Sequence, residues 1–300
     1  MFSFFPCFFL LSLLSSSPSI HATPPPIYTI NPTNTPSLSK INKSYTWQEF
    51  DKFQDASKGS LVNGISKLKQ YFRNFGYLER EDVTNATDVF DTDLELAVAR
   101  YQQKLRLPVT GKLDSHTLSE LMLPRCGVPD DRRTMHTMGN YVYFTGRPRW
   151  GRNIPMTLTY AFSPKNMITS LSMEDLRGFY YGDHGDGEAF DGVLGVLAHA
   201  FSPESGRFHL DAAETWAVDF ATEKADTAVD LESVATHEIG HLLGLAHTDV
   251  REAVMYPSLK PREKKVELKV DDIKGVQALY GSNPNFSFRA FSESDVPMVV

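Results

Sequence analysis

Residues 237–247 read HEIGHLLGLAH, and this stretch decides both the fold and the chemistry that the sequence predicts. His237 and His241 are four residues apart, so on a helix they share one face and both imidazoles reach one ion at about 2.0–2.1 Å. Glu238 neighbours that face, where a carboxylate can take a proton from a metal-bound water whose pKa has fallen to about 7. The stretch therefore predicts a helix with two metal ligands and a catalytic base.

Gly244 and His247 extend this pattern beyond the short HExxH form. Glycine adopts positive φ without strain, so Gly244 is expected to end the helix and let the chain turn back, which delivers His247 as a third ligand. Met255 lies in AVMYP, residues 253–257, and is expected to pack as a hydrophobic floor beneath the imidazoles. A bare HExxH also occurs in ordinary amphipathic helices, but the long motif followed by a methionine turn is the metzincin signature. The sequence thus predicts a catalytic zinc with three histidine ligands and an open fourth position.

The composition is that of an ordinary soluble globular protein of one or two domains. The chain has 300 residues, of which 41% are hydrophobic and 22% charged. A formal net charge of −7 argues against a nucleic-acid partner, because phosphate binding requires a basic face. The one basic cluster, residues 260–269, is interrupted by Glu263 and Glu267, which favours a solvated surface.

The start of the chain predicts export. Residues 2–14 form an apolar run of the length of a secretory signal, and a small-residue cleavage site follows at Ala22, although no Lys or Arg precedes the run. The run is too short to span a membrane, and no later stretch reaches eighteen apolar residues, so no transmembrane segment is predicted. We therefore expect a signal peptide at 1–22 and a secreted, extracellular product. Three N-x-S/T sequons, weak individually, are compatible with export and are candidate glycosylation sites: Asn42, Asn85 and Asn285.

Periodicity divides the rest of the chain. Residues 23–44 are rich in Pro, Ser and Thr and predict a disordered linker. Apolar side chains recur at helical spacing in three stretches, 61–75, 94–105 and 114–122. A small all-helical domain is therefore predicted, extending to residue 130.

The second half alternates in character. Strands are predicted at 141–144, 156–162, 178–181 and 195–201, and helices from about residue 231 and over 271–280. This order predicts an α+β domain over residues 131–281, followed by a tail at 282–300.

Residues 124–130, read PRCGVPD, connect the two predicted domains. Together with the long histidine motif, this segment resembles the cysteine switch of matrix metalloproteinases. Three further stretches resemble the plant branch of that family: GDHGDGEAFDG at 182–192, LAHAF at 197–201 and GRFHLDAAETW at 206–216. The resemblance covers about residues 45–281 and implies a helical propeptide followed by a zincin-like domain with a mixed, mostly parallel sheet and an active-site helix.

The resemblance assigns roles within this segment. It implies that Cys126 ligates the catalytic zinc in the latent form and that Arg125 and Asp130 form an ion pair that holds the segment. Cleavage of the linker by an activating protease would then open the site. The alternative for Cys126 is a buried small hydrophobe, but Pro and Gly on both sides indicate an extended segment.

A second group of metal ligands precedes the helix. His184, His199 and His209 lie within 26 residues, with Asp186 two beyond His184, and three His with one Asp complete a closed tetrahedral zinc shell. The resemblance assigns these four to a structural zinc, and without it the loop would be read as flexible. It also implies a calcium ion held by three carboxylates and three backbone carbonyls: Asp191, Asp211, Glu214, Gly192, Leu194 and Val196.

The sequence departs from the family near residues 163–178. Family members run from the first strand through a long helix and two further strands, whereas here Phe162 is followed by fifteen residues and then by Gly178. About thirty or more residues are missing by this comparison. Losing four or five buried apolar side chains, at about 1.5–3 kcal/mol each, removes roughly 6–15 kcal/mol from a total stability of about 5–15 kcal/mol. We therefore expect a domain that keeps its metal ligands but folds poorly.

Two functions remain open at this level. The first is a secreted zinc endopeptidase zymogen that hydrolyses internal peptide bonds of extracellular proteins. The alternative is an inactive or poorly folded relative that acts as a non-catalytic metal- or cell-wall-binding protein, supported by the gap and by a helical domain that also resembles peptidoglycan-binding modules. No feature of the sequence indicates an oligomeric state.

Overall fold

The helices come first along the chain in the computed structural model, which describes residues 47–79, 87–130, 135–138, 141–151 and 178–282. A 3-10 helix precedes three α-helices: Gln48–Phe53, then α1 (Ile65–Asn74), α2 (Thr92–Lys104) and α3 (Ser115–Leu121). All three predicted helices are confirmed, but α1 begins four residues later than predicted. Gly64 has a left-handed φ of 96°, so helical backbone starts only after it.

Aspartate caps and aromatic packing hold this helical region (residues 47–123) together. The side chains of Asp91 and Asp114 accept hydrogen bonds at 2.9 Å from Leu94 N and Thr117 N, which satisfies free N–H groups at the helix starts. The core is unusually aromatic, and its rings meet mostly edge to face, for example Trp47 and Tyr71 at 5.0 Å. The core of the helical region is therefore largely aromatic, and one residue of the second region, Tyr256, also belongs to it.

The main sheet has four strands: β1 (Arg125–Cys126), β4 (Phe179–Tyr180), β5 (Val196–Ala200) and β6 (Phe208–Asp211). Their order is β1-β5-β6-β4, with β5 and β6 antiparallel and the two outer pairings parallel. The prediction of a mixed, mostly parallel sheet is confirmed. Strand β1 comes from the segment at 124–130, so the link between the two regions is itself part of the sheet.

Two smaller sheets flank this one. In one, β2 (Met135–Met138) and β3 (Tyr141–Phe144) pair antiparallel, and in the other β7 (Trp216–Ala217) and β8 (Val229–Asp230) pair parallel.

Two helices complete the α+β region, α4 (Leu231–Leu242) and α5 (Val270–Tyr280), close to their predicted bounds. Asp230 caps α4 by accepting from Ser233 N at 2.8 Å. Val234 of α4 belongs to the same apolar cluster as Leu197 of β5 and Leu210 of β6, so the helix lies against the sheet.

Several predictions lie outside the described residues. They concern the signal peptide (1–22), the linker (23–44), the three sequons, the strand at 156–162 and the residues around the gap (163–177). Within the described part, no helix is long and apolar enough to cross a membrane.

Candidate active site

Helix α4 and the turn after it bring three imidazoles to one point. The Nε2 atoms of His237 and His241 are 3.1 Å apart, and each lies 3.2 Å from Nε2 of His247. Ligands at about 2.0–2.1 Å from a tetrahedral zinc are separated by roughly 3.3 Å, so this triangle fits such an ion. The predicted ligand set is therefore assembled with the geometry that zinc requires.

Each of these imidazoles is oriented through its other nitrogen. Nδ1 donates to Val254 O at 2.7 Å in His237, to Leu245 O at 2.8 Å in His241, and to a carboxylate at 2.7 Å in His247. Donation from Nδ1 leaves the lone pair of Nε2 free for a metal. Burial lowers the pKa of all three histidines, which keeps them in the neutral form that binds metal.

Cys126 lies at the fourth position of this cluster. Its Sγ is 3.4 Å from His241 Nε2 and accepts a hydrogen bond from Val128 N at 3.4 Å. Cys126 and the three histidines form one group of four possible metal ligands, and all four residues are buried. Burial raises the pKa of the thiol well above its ordinary value, and the nearby Glu238 carboxylate raises it further. A thiolate at this position therefore requires a neighbouring cation, which the three imidazoles would hold.

Glu238 is buried, and among the described residues neither carboxylate oxygen has a partner at ordinary hydrogen-bond distance. Burial raises its pKa to about 8, against the opposing effect of the neighbouring Cys126 thiol. A buried carboxylate with so little polar support is destabilising by itself, so it indicates a chemical role rather than a structural one. Its place beside the three imidazoles is the place that the sequence predicts for a general base.

Strand β1 lies in the cleft above this cluster and is hydrogen-bonded on both sides. Arg125 N and Gly127 N donate to Gly195 O at 3.0 Å and Ala198 O at 2.7 Å on the β5 side. On the other side Cys126 N donates to Pro257 O at 2.9 Å. The cleft thus holds an extended peptide between two walls.

The ion pair implied by the resemblance is present and has partners that the sequence did not indicate. Arg125 Nη2 and Asp130 Oδ2 are 2.7 Å apart and fully buried, and Tyr77 OH donates to the same oxygen at 2.8 Å. The other oxygen, Asp130 Oδ1, is the acceptor for His247 Nδ1. Burial alone would raise the pKa of Asp130, but Arg125 and His247 outweigh it and hold the pKa well below its usual range.

The methionine of the predicted turn is buried, and Gly240 makes room for it, while its role as a floor beneath the imidazoles stays a prediction. Met255 is buried in a cluster with Tyr143 and Leu279. A Cβ on Gly240 would collide with the Met255 thioether, and one on Gly244, which has φ of +100°, would collide with a backbone carbonyl. The role of Gly240 was missed, because it depends on a contact fifteen residues away.

The second predicted cluster is also assembled. Asp186 Oδ2 lies 2.8 Å from Nε2 of His184, Nε2 of His199 and Nδ1 of His209. The four ligand atoms lie within 4.8 Å of one another. Burial lowers the pKa of His199 to about 4, so this imidazole is neutral at pH 7.

Aromatic side chains enclose this second cluster, and the sequence did not predict them. Phe190 stacks on His184 at 5.0 Å and on His199 at 4.8 Å, while Tyr180 stacks on His184 at 4.7 Å. Flat contact with the rings restricts their rotation, which keeps the ligand nitrogens aimed at one point.

Three carboxylates, Asp191, Asp211 and Glu214, form a third group beside β5. Burial and mutual repulsion raise the pKa of Asp191 to about 6 and that of Glu214 to about 8, and burial also raises that of Asp211. Glu214 Oε2 is buried without a partner. Backbone N–H groups of three neighbouring residues donate to these carboxylates: Gly192, Leu194 and Val196. Asp191 is exposed, and the three carboxylates are not among the described groups whose ligand atoms all lie within 4.8 Å of one another, so calcium binding here stays a prediction.

Comparisons with known proteins agree with this geometry. Residues 149–281 match the matrixin peptidase family, and residues 62–121 match a putative peptidoglycan binding domain. The chain is 50% identical to Metalloendoproteinase 4-MMP of Arabidopsis thaliana, with 77% of this chain and 76% of the relative covered. It is 38% identical to Metalloendoproteinase 1 of Glycine max, covering 84% of this chain and 93% of the relative. Matrix metalloproteinase-20 of Homo sapiens is 37% identical over 60% of this chain and 41% of its own length. The chain therefore belongs to the matrixin family and is a zinc metalloendopeptidase.

Proposed function

We propose that the chain is a secreted zymogen in which Cys126 occupies the fourth position on the catalytic zinc until the linker after Asp130 is cut. The observation that carries this proposal is the position of Sγ, 3.4 Å from His241 Nε2 inside a buried group of four ligands. Export through residues 1–22 and glycosylation at Asn42, Asn85 and Asn285 belong to the same proposal.

The residues divide the chemistry among them. When bound, zinc polarises the scissile carbonyl and lowers the pKa of water at the vacated position. His237, His241 and His247 hold the ion, and Glu238 takes the proton of the attacking water on its free carboxylate and passes it to the leaving amine. Burial supports this role, because it raises the pKa of Glu238 to about 8 and so makes the carboxylate a stronger base than an ordinary glutamate.

Extracellular proteins are the proposed substrates, bound in the cleft that β1 now fills. Once β1 leaves, the carbonyls of Gly195 and Ala198 and that of Pro257 lose their donors. An extended substrate peptide would replace those hydrogen bonds, in the manner of a strand added to a sheet edge.

The other two clusters are proposed as structural sites. His184, Asp186, His199 and His209 form a closed four-ligand shell and would hold a second zinc. Asp191, Asp211 and Glu214 would hold calcium, with the carbonyls of Gly192, Leu194 and Val196 completing the oxygen ligands.

We also propose that the catalytic domain is shortened near residues 163–178. The alignment with the 4-MMP relative runs over 266 positions but includes 77% of this chain, or about 231 residues. About 35 positions therefore have no counterpart here, which agrees with the loss of about thirty or more residues. This loss, with the match to a peptidoglycan binding domain, favours the second candidate, a non-catalytic metal- or cell-wall-binding protein.

One experiment separates the two candidates. Purified full-length protein is treated with an organomercurial, and zinc per chain and cleavage of a quenched peptide are measured before and after. The zymogen predicts two zinc ions and cleavage that appears only after treatment. Little bound zinc and no cleavage would favour the non-catalytic protein.

Glu238→Gln tests the role of the base. We expect turnover to fall by roughly 10²–10⁴-fold, because proton transfer is lost while the zinc ligands remain. Glu232→Gln is the control, since this carboxylate is on the same helix but pairs with Lys264 at the surface. Wild-type turnover by Glu238→Gln with unchanged zinc content would refute the assignment.

A further inference from the structure

A carboxylate of the helical region is held by donors from the catalytic region. Glu120 of α3 is 4% exposed. Its Oε1 accepts from Tyr256 OH at 2.9 Å, and its Oε2 accepts from Arg251 Nη2 at 2.8 Å. Both oxygens are thus bound by side chains that lie more than 130 residues further along the chain.

A second cation lies at the same aromatic ring. The guanidinium carbon of Arg251 is 5.1 Å from the centre of the Tyr256 ring, and Lys265 Nζ is 5.2 Å from it. Lys265 Nζ also donates to the backbone carbonyl of Arg251 at 3.0 Å, which holds the ammonium beside that residue. Two positive charges and a hydroxyl therefore converge where the Glu120 carboxylate lies.

Two of these three residues reach the substrate cleft. Tyr256 and Lys265 line a pocket whose other walls include Cys126, His237 and Glu238. The pocket therefore connects the proposed catalytic base with Tyr256 and Lys265, and Arg251 lies against the ring of Tyr256. A peptide in the cleft can place a side chain on these donors once the helical region has left.

We propose that Arg251, Tyr256 and Lys265 form an anion-binding subsite of the mature enzyme, which selects peptide substrates that carry an acidic side chain. Glu120 fills this subsite in the zymogen. The inference rests on the proposed function, because it requires that the helical region be removed on activation. It goes beyond that function by naming the substrate class.

The first test measures peptide binding without catalysis. Residues 131–134 are replaced by the recognition sequence of a site-specific protease in a Glu238→Gln background, so the full chain folds before it is cut. After the helical region has been removed, fluorescence anisotropy gives Kd for labelled peptide pairs that differ only in Glu or Gln, placed in turn along one sequence. At the best position we expect roughly tenfold tighter binding of the Glu peptide, decreasing with added salt.

Variants locate the effect. The preference is the Kd of the Gln peptide divided by the Kd of the Glu peptide. In Arg251→Gln this ratio should fall to about one. In Tyr256→Phe, which removes only the hydroxyl, the ratio should fall by about threefold. The control Lys264→Gln removes a neighbouring exposed cation that pairs with Glu232, and it should keep the preference. Equal binding of Glu and Gln peptides at every position would overturn the proposal, as would a preference that Arg251→Gln leaves unchanged.

A separate cleavage assay with Glu238 intact distinguishes the two levels of proposal. If no peptide is cleaved but binding still prefers Glu, the proposed endopeptidase activity fails and the subsite stands. If peptides are cleaved at equal rates and bound equally, the activity stands and the subsite fails.

Discussion

The two four-ligand clusters differ in where their last ligand comes from. In the first, three imidazoles come from α4 and its following turn, and the fourth ligand atom is a sulfur on β1, which enters from the helical region. In the second, all four ligands come from β5, β6 and the loop before them, with the Asp186 carboxylate 2.8 Å from every imidazole. One ligand shell is therefore divided between two regions, and the other is contained in one.

We propose that this difference corresponds to two uses of zinc, one structural and one catalytic. A shell contained in one region is closed permanently and suits a structural zinc. A shell whose fourth ligand is joined through a cleavable segment can be opened, which a catalytic zinc requires. Glu238, a buried carboxylate with a raised pKa, lies beside the divided shell.

The largest expected effect comes from removing Cys126, the ligand of the divided shell that enters from the helical region. In Cys126→Ser we expect cleavage of peptide without activator to rise by roughly 10²-fold, because a zinc–thiolate bond contributes several kcal/mol and each 1.4 kcal/mol is tenfold. Zinc content should not change, since three imidazoles remain. The measurement is initial cleavage rate and zinc per chain in untreated protein. A variant that stays latent would show that the sulfur is not what closes the site.

The sequence alone predicted that His237 and His241 lie on one helix, because residues four apart occupy the same helix face. The histidines at 237, 241 and 247 needed no tertiary information. The three main helices of the propeptide-like region followed from apolar periodicity in the same way. The place of Cys126 was implied only by the family resemblance, since nothing local relates it to His241, which lies 115 residues away.

Contacts between the two regions could not be predicted from the sequence. Lys104 donates to His247 O, Glu120 binds Tyr256, and Tyr77 donates to Asp130, and each depends on how the helical region docks. No periodicity encodes that docking. Strand β1 was missed as a sheet member for the same reason, because two residues carry no alternation and their partner strand is 70 residues further along.

Breaking the self-contained shell should affect stability rather than latency. Asp186→Asn removes the carboxylate that joins the three imidazoles, and we expect the loss of one zinc per chain. Linked binding at high occupancy stabilises by roughly 3–4 kcal/mol, so Tm should fall by roughly 5–15 °C. Calorimetry and metal analysis measure both, with Asp183→Asn, an exposed neighbour that bonds only Gly185 N, as the control. If both variants keep two zinc ions, the four residues do not form the second shell.

The carboxylate trio predicts a pH dependence that calcium removes. Asp191 and Glu214 have pKa values raised to about 6 and about 8, so the calcium-free folded protein holds protons that the unfolded chain has released. Stability without calcium therefore falls as pH rises from about 4, where the unfolded chain releases these protons, to about 8, where folded Glu214 has released its own. Calcium replaces the protons of the folded protein, so its affinity should rise by roughly a hundredfold between about pH 6 and 8.5.

Thermal melts at several pH values, with calcium or with chelator, check this dependence. Magnesium serves as the control ion, because it keeps its water ligands and fits an all-protein oxygen site poorly. An identical pH slope with calcium and with chelator would contradict the calcium assignment.

The smallest expected effect lies at the boundary between the two regions. Tyr77 OH donates to Asp130 Oδ2 at 2.8 Å, and Asp130 Oδ1 accepts from His247 Nδ1 at 2.7 Å, so a hydroxyl of the helical region is two hydrogen bonds from a zinc ligand.

Tyr77→Phe removes one net hydrogen bond of about 0.5–1.5 kcal/mol and should loosen the segment that carries Cys126. We expect the thiol of the full-length zymogen to react with a thiol reagent roughly three to ten times faster. Tyr101→Phe is a matched control, because among the described residues this buried hydroxyl of the same aromatic core has no hydrogen bond to the segment that carries Cys126, so its loss should leave the rate unchanged. Equal acceleration in both variants would mean that the aromatic core as a whole, rather than the Tyr77 hydrogen bond, holds the divided shell closed.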